Sequence, residues 1–251
     1  MLQANHETMK NMEAKKLNKT NHEQGACLHE TLVMPPSNEV FLMDCMEGMK
    51  QYPDNHFELA IVDPPYGLNY AKLAGSKKSK HGWKEREASE WDKKIPTQDY
   101  FNSLLRVSKN QIIWGGNYFN LPPSRCFVIW DKVQRIDQAD CEFAWTSFKK
   151  SARVFRYARG NESGFAPKLK GTERFGINIH PTQKPIKLYE WLLTNYANQG
   201  DKILDTHVGS GSSRIACHKM GFDFTGYEID EDYWNAQEQR YKQFKKQLTL
   251  F

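Results

Sequence analysis

Between Lys202 and Glu228 the chain spells out a complete supersecondary unit. Lys202-Ile203-Leu204-Asp205 is a short apolar run that closes on an acid, and Thr206 to Gly211 is a glycine loop (DTHVGSG counted from Asp205). Ser212 to Met220 has the spacing of a helix, and Phe222 to Ile229 reads as a second strand with Glu228 near its end. Strand, glycine loop, helix, strand, acid is a βαβ plan, and it requires parallel strands joined by a crossover helix. An open sheet of this kind binds ligands beyond the carboxyl ends of its strands.

The loop also limits what that ligand is. Gly209 and Gly211 are present, but Arg214 stands where a dinucleotide fingerprint has its third glycine, and no lysine follows to make a P-loop. A nicotinamide dinucleotide is disfavoured and a nucleoside triphosphate more so. Two glycines with an acid at the strand end suit an adenosyl ligand that lacks a pyrophosphate. Asp205 can meet a cationic amino group, while the glycine amides approach the ligand closely. Glu228 follows Gly209 by 19 residues, near the spacing of about 20 expected of a ribose-binding acid. Glycine loops between strand and helix are also common structural turns; the acid at that distance favours ligand binding.

A second landmark lies upstream. Phe57 to Tyr66 reads FELAIVDPPY, in which Leu59-Ala60-Ile61-Val62 suits a strand buried on both faces. Pro64 and Pro65 can neither continue a ladder nor enter a helix interior, and each biases the residue before it toward extended backbone. The product is a stiff elbow that holds the Asp63 carboxylate and the Tyr66 phenol at a strand's carboxyl end. An ordinary proline turn with Asp63 as a turn residue is the plainer alternative.

The rest of the chain falls into place around these landmarks. Residues 1–34 are polar, with lysines balanced by glutamates, and read as a disordered tail before a domain over 35–251. Val40-Phe41-Leu42 is a short strand leading to Asp44, which either contacts a ligand or caps the helix that carries Met46 and Met49. Residues 67–94 hold eight basic side chains against four acidic ones with little apolar periodicity. They read as a basic lid over the elbow, or as a solvated loop whose tryptophans fold back. A helix over Thr97–Ser108 follows, then strands at Gln111–Trp114, Cys126–Trp130, Cys141–Ser147 and, alternating like an edge, Val154–Tyr157. From Lys149 to Arg174 eight basic residues face two glutamates, with Phe155, Tyr157 and Phe165 between them. That is the composition of a nucleic-acid contact surface, or of a solvated basic face. His180-Pro181-Thr182-Gln183-Lys184-Pro185 is a rigid polar turn into a helix over Ile186–Tyr196, and a last amphipathic helix runs from about Asp232 to Leu248.

The net charge of +5 and a pI near 8.8 agree with a polyanionic partner. Five cysteines without CxxC spacing argue against a zinc knuckle or a disulfide framework and fit a reducing cytoplasm. No run approaches the length of about 18 apolar residues that a membrane span needs.

In combination these motifs resemble the S-adenosylmethionine-dependent amino-methyltransferases of DNA, in the permuted order called the beta class. The resemblance runs from about Val40 to Arg240 and rests on Asp44, DPPY at Asp63–Tyr66, HPTQKP at His180–Pro185, DxxxGSG at Asp205–Gly211 and GYExDxxY at Gly226–Tyr233. It implies a Rossmann-like α/β fold with a mostly parallel, doubly wound sheet and a target-recognition region over 133–178. It implies that Asp63 and the Pro64 carbonyl accept from an exocyclic amine, with Pro65 stiffening the elbow, and that Tyr66 stacks on an extruded base. The cofactor would be held by Asp205, Gly209, Ser210 and Gly211 at its methionine part and by Glu228 at its ribose. Asp44 would lie near its adenine, Thr182 and Lys184 near its carboxylate end, and His180 among the residues that bind it. Many relatives have Pro-Phe where this chain has Thr206-His207, so His207 would replace an aromatic that packs on the cofactor. DPPY leans toward adenine N6 as the target, with cytosine N4 as the alternative and an inactive DNA-binding regulator as a further one. Implied partners are double-stranded DNA, a second copy of the chain and a cognate restriction endonuclease.

Overall fold

A computed structural model describes residues 36–67, 95–133, 139–158 and 183–248. The polar tail, most of the basic loop, much of the recognition region, His180 and Thr182 lie outside the described residues.

Eight strands form one sheet: β1 (Asn38–Leu42), β2 (Phe57–Val62), β3 (Ser108–Trp114), β4 (Phe127–Asp131), β5 (Cys141–Thr146), β6 (Arg153–Arg156), β7 (Lys202–Asp205) and β8 (Asp223–Glu228). Among the described residues five α-helices accompany them: α1 (Cys45–Lys50), α2 (Gln98–Val107), α3 (Ile186–Tyr196), α4 (Ser212–Met220) and α5 (Glu231–Leu248). The strand order is β1-β8-β7-β2-β3-β5-β4-β6. Every pairing is parallel except those of β5, which runs antiparallel to both β3 and β4.

Successive residues of a strand face opposite sides, and in β2 both sides are apolar. Leu59 and Ile61 pack with Leu188, Leu192, Ala216 and Cys217 of α3 and α4. Ala60 and Val62 pack with Met49 of α1 and with Tyr100, Phe101 and Leu104 of α2. Helices therefore cover both faces, as a doubly wound sheet requires. The fold is the Rossmann-like α/β arrangement that the βαβ unit implies, and β6 is an edge strand as its alternation suggests.

Arg214 occupies the third glycine position for a structural reason. The residue is only 5% exposed, and its guanidinium reaches Asn38 Oδ1 at 2.8 Å and Gln237 Oε1 at 2.9 Å and pairs with Glu238. It rivets α4 to the edge strand β1 and to α5, where a glycine would let helix and strand approach closely. No described helix is long and apolar enough to cross a membrane.

Candidate active site

β2 and β7 are neighbours, in a register that pairs Leu59 with Ile203 and Ala60 with Leu204. Asp63 and Asp205 therefore leave adjacent strands at one edge of the sheet, although 142 residues separate them. β8 and β1 continue the same edge, Leu42 pairing with Glu228.

At the end of β2 the elbow leaves the regular strand and turns at Gly67, whose φ is 72°. Asp63 Oδ1 accepts from Tyr66 Oη at 2.6 Å, and Oδ2 accepts from Lys184 Nζ at 2.5 Å. Tyr66 stacks on Tyr118, with ring centroids 5.1 Å apart, and lies against Gly115. Burial, then the neighbouring Asp63 charge, pushes its phenol well above the usual range, so it is a hydrogen-bond donor at neutral pH.

Lys184 is the first difference from expectation. The resemblance puts it near the cofactor's carboxylate; the described structure gives its ammonium to Asp63 and, at 3.0 Å, to Glu142 Oε2. Glu142 also takes Lys132 Nζ on Oε1 at 2.8 Å. Burial alone would raise the Glu142 carboxyl, but the ammoniums of Lys184 and Lys132 outweigh it and hold the group at about 2. Burial likewise works against the Lys184 ammonium, and Asp63 and Glu142 outweigh it, so its pKa is raised. Sequence reasoning missed Glu142 and Lys132. One signal was there: an acid inside the otherwise apolar and aromatic strand CEFAWT needs a cation.

The glycine loop is built mostly from its own chain. Gly209 and Gly211 both have positive φ, 51° and 75°, which L side chains rarely adopt. Gly209 N–H donates to Glu228 Oε2 at 2.9 Å, and Gly211 N–H to the Val208 carbonyl at 3.0 Å. Both amides thus have internal partners, and what the loop offers a ligand is clearance. Ser210 turns inward, where its carbonyl accepts from Arg240 and its hydroxyl lies 3.2 Å from that of Ser212.

Two carboxylates close this half. Asp205 is 2% exposed and accepts from Ser213 Oγ at 2.5 Å and from His207 N–H at 3.0 Å. Burial dominates these bonds, with the Asp63 and Glu228 charges adding to it, and lifts the carboxyl to about 7. Glu228 accepts from Gly209 and, at 3.0 Å, from Asp230 N–H, and burial raises it as well. Neither forms an ion pair among the described residues. A buried carboxylate that lacks a cation is the complement of a cationic ligand group. Asp44 caps α1 through Met46 N–H at 2.8 Å, the capping role that its sequence context left open.

The Thr206-His207 pair belongs to a polar floor. Tyr100 Oη of α2 lies 2.7 Å from Thr206 Oγ1, which lies 2.9 Å from His207 Nδ1. Burial drops the imidazole to about 4, so it is neutral at physiological pH.

Of the basic tract, the described part is the edge strand β6 and its approach. Lys149, Lys150, Arg153 and Arg156 are exposed there, with Arg156 paired to Asp131. The aromatic residues are less available to a nucleic acid than their spacing suggests. Phe155 packs on Trp191 at 5.4 Å and Tyr157 stacks on Phe155 at 5.8 Å, because the inner side of β6 covers α3.

An αβ sheet that brings an acid–Pro–Pro–Tyr elbow beside a glycine loop defines a methyltransferase-type site, and sequence comparison identifies the kind. The chain belongs to the N6/N4 DNA methylase family: residues 113–239, just over half of it, match the family model described as DNA methylase. YubD of Escherichia coli (strain K12), a protein named as a methylase, is 26% identical over 212 residues, covering 78% of this chain and 87% of its own. The type II methyltransferase M.HpaI of Haemophilus parainfluenzae is 38% identical over 61 residues, 24% of this chain and 19% of its own. Among solved structures, the cytosine-N4-specific PvuII DNA methyltransferase superposes with a TM-score of 0.51 at 13% identity, covering 82% of this chain and 87% of its own, and shares the fold.

Proposed function

We propose that the protein transfers a methyl group from S-adenosylmethionine to the exocyclic amine of a base extruded from double-stranded DNA, with adenine N6 as the target. The adjacency of β2 and β7 carries this reading, since it sets an acceptor carboxylate and an unpaired buried carboxylate at one edge. Asp205 matches the ammonium of the cofactor's methionine part. Glu228, each of whose oxygens accepts one backbone N–H, keeps lone pairs for ribose hydroxyls. When bound, the cofactor supplies an electrophilic methyl group.

The protein's own residues prepare the nucleophile. An exocyclic amine is a poor nucleophile because its lone pair is delocalised into the ring. The Asp63 carboxylate and the Pro64 carbonyl accept its two N–H bonds, favour rehybridisation and stabilise positive charge as the methyl group arrives. Fixed in-line placement supplies much of the remaining rate. The base cannot be reached inside a duplex, and the Tyr66 ring offsets part of its lost stacking. The exposed lysines and arginines around β6 supply phosphate contacts. Restriction-linked modification, beside a cognate endonuclease, draws its support from the likeness to M.HpaI alone.

Methyl transfer from labelled cofactor to mixed-sequence DNA tests the reading. Asp63→Ala should lower turnover by more than about 1,000-fold while cofactor binding persists; wild-type turnover in that variant removes Asp63 from the mechanism. Mass spectrometry of the product nucleosides separates N6-methyladenine from N4-methylcytosine, and the latter would overturn the adenine assignment.

A further inference from the structure

Lys184 is buried, with 3% of its side chain exposed, and it has two carboxylate partners, Asp63 and Glu142. Burial of an ammonium costs several kcal/mol unless opposite charge compensates it. Here the compensation extends further, because Lys132 holds the second oxygen of Glu142. Lys132, Glu142, Lys184 and Asp63 alternate in sign and sum to zero. They come from four places in the chain: just past β4, within β5, just before α3 and just past β2. The string thus crosses the catalytic edge of the sheet and ends on the acceptor carboxylate.

Asp63 is left with two unlike oxygens. Oδ2 belongs to an ammonium that cannot withdraw without leaving the buried Oε2 of Glu142 unpaired, with Lys132 on Oε1 alone. Oδ1 belongs to Tyr66 Oη, a phenol whose ring has a second use as the stacking surface for a base. We propose that Lys184 and Glu142 are positioning residues for methyl transfer: the clamp fixes Oδ2, and Oδ1, given up by Tyr66 when a base enters, becomes the acceptor for the amine. In the free protein Tyr66 keeps that acceptor satisfied, so Asp63 does not stand unpaired before a base enters. The inference rests on the amine-methylation reading of the Asp63 site.

A purely structural clamp behaves differently. A buried ion pair can commonly be replaced by apolar or neutral groups at little cost to stability, and Lys184 already lies 5.2 Å from the Trp114 ring. Met would keep that contact. The test uses Lys184→Met and the double variant Lys184→Met/Glu142→Gln. The double variant leaves one positive and one negative charge, Lys132 and Asp63, and so preserves the balance. Turnover on DNA and the cofactor dissociation constant, by calorimetry, are measured on each, and the double variant is read where the single one fails to fold. Turnover should fall about 100-fold, the scale of a misplaced reacting group, with cofactor affinity within about threefold of wild type. Turnover close to wild type overturns the proposal, and so does a matching loss of cofactor affinity, which would return Lys184 to the cofactor. A wild-type protein that methylates no DNA removes the methylation reading and this inference together, whereas active wild type with active variants removes the inference alone.

Discussion

At the end of β2 each charged group has a partner of opposite sign, whereas at the ends of β7 and β8 two carboxylates face no cation among the described residues. Asp63 is held by Lys184 and Tyr66, and Glu142 by two lysines. Asp205 and Glu228 have only neutral donors, and burial raises both. The difference matches the proposed roles: a neutral base at the first half would find the charge there already balanced, and the cofactor's ammonium at the second would pair with Asp205. Ionised without a cation beside it, buried Asp205 costs stability. The folded pKa of Asp205, about 7, lies above its ordinary 3.8, so the folded state holds that proton more tightly than the unfolded one. Stability is therefore lost as pH rises from 3.8 through 7, by up to about 4 kcal/mol.

The widest break between the halves is expected from Gly115→Ala. Gly115 has φ +69°, and a Cβ there would lie 2.2 Å from Tyr66 Cε1. The methyl group must displace the ring that stacks on Tyr118 and caps Asp63, since the three atoms nearest it all belong to Tyr66. Turnover should fall about 100-fold with cofactor affinity unchanged, as calorimetry and labelled methyl transfer can establish. Equal damage to cofactor binding would show that the two halves are one mechanical unit.

The donor half should instead respond to pH. Only ionised Asp205 attracts an ammonium, so binding at pH 6 must first remove a proton that is absent at pH 8. With the carboxyl at about 7, affinity should rise about tenfold between those pH values. Calorimetry in buffers of different ionisation enthalpy should register proton release at pH 6. Asp205→Asn should bind weakly with no such dependence, and a dependence that survives the substitution would move the titrating group elsewhere.

How much of this was readable from residue order follows from how local each feature is. The βαβ unit and the DPPY elbow are contiguous, each carrying its own turn chemistry, and they appear where sequence put them. Helix α3, strand β7 and helix α4 have the expected limits, since Pro185, Asp205, Gly211 and Gly221 punctuate them. Lys184 and Asp63 were visible as candidates, but Glu142, the second partner of Lys184, was not. Glu142 reaches it only because β5 inserts antiparallel between β3 and β4, and short apolar strands do not announce which neighbours they take. Tyr100 lies on the buried apolar face of α2, and its hydroxyl meets Thr206 only because that face packs on β2 and β7. Long-range pairing, absent from any single stretch, decides both.

The smallest expected effect concerns that last contact, and it asks whether the polar floor belongs to either half. Tyr100 is 3% exposed, and its hydroxyl lies 2.7 Å from Thr206 Oγ1. Thr206→Val keeps the shape and removes the hydroxyl, which strands the Tyr100 O–H and the His207 Nδ1 together. A buried polar group left without its partner costs about 1–3 kcal/mol, so urea unfolding should show a loss of that size. The chain Tyr100–Thr206–His207 carries no charge at neutral pH, because burial keeps the imidazole unprotonated down to about 4. Its removal should therefore leave turnover within about threefold of wild type while stability falls. A loss of turnover on the scale of Gly115→Ala would instead make the floor part of the acceptor machinery, and a loss confined to cofactor affinity would make it the donor half's own wall.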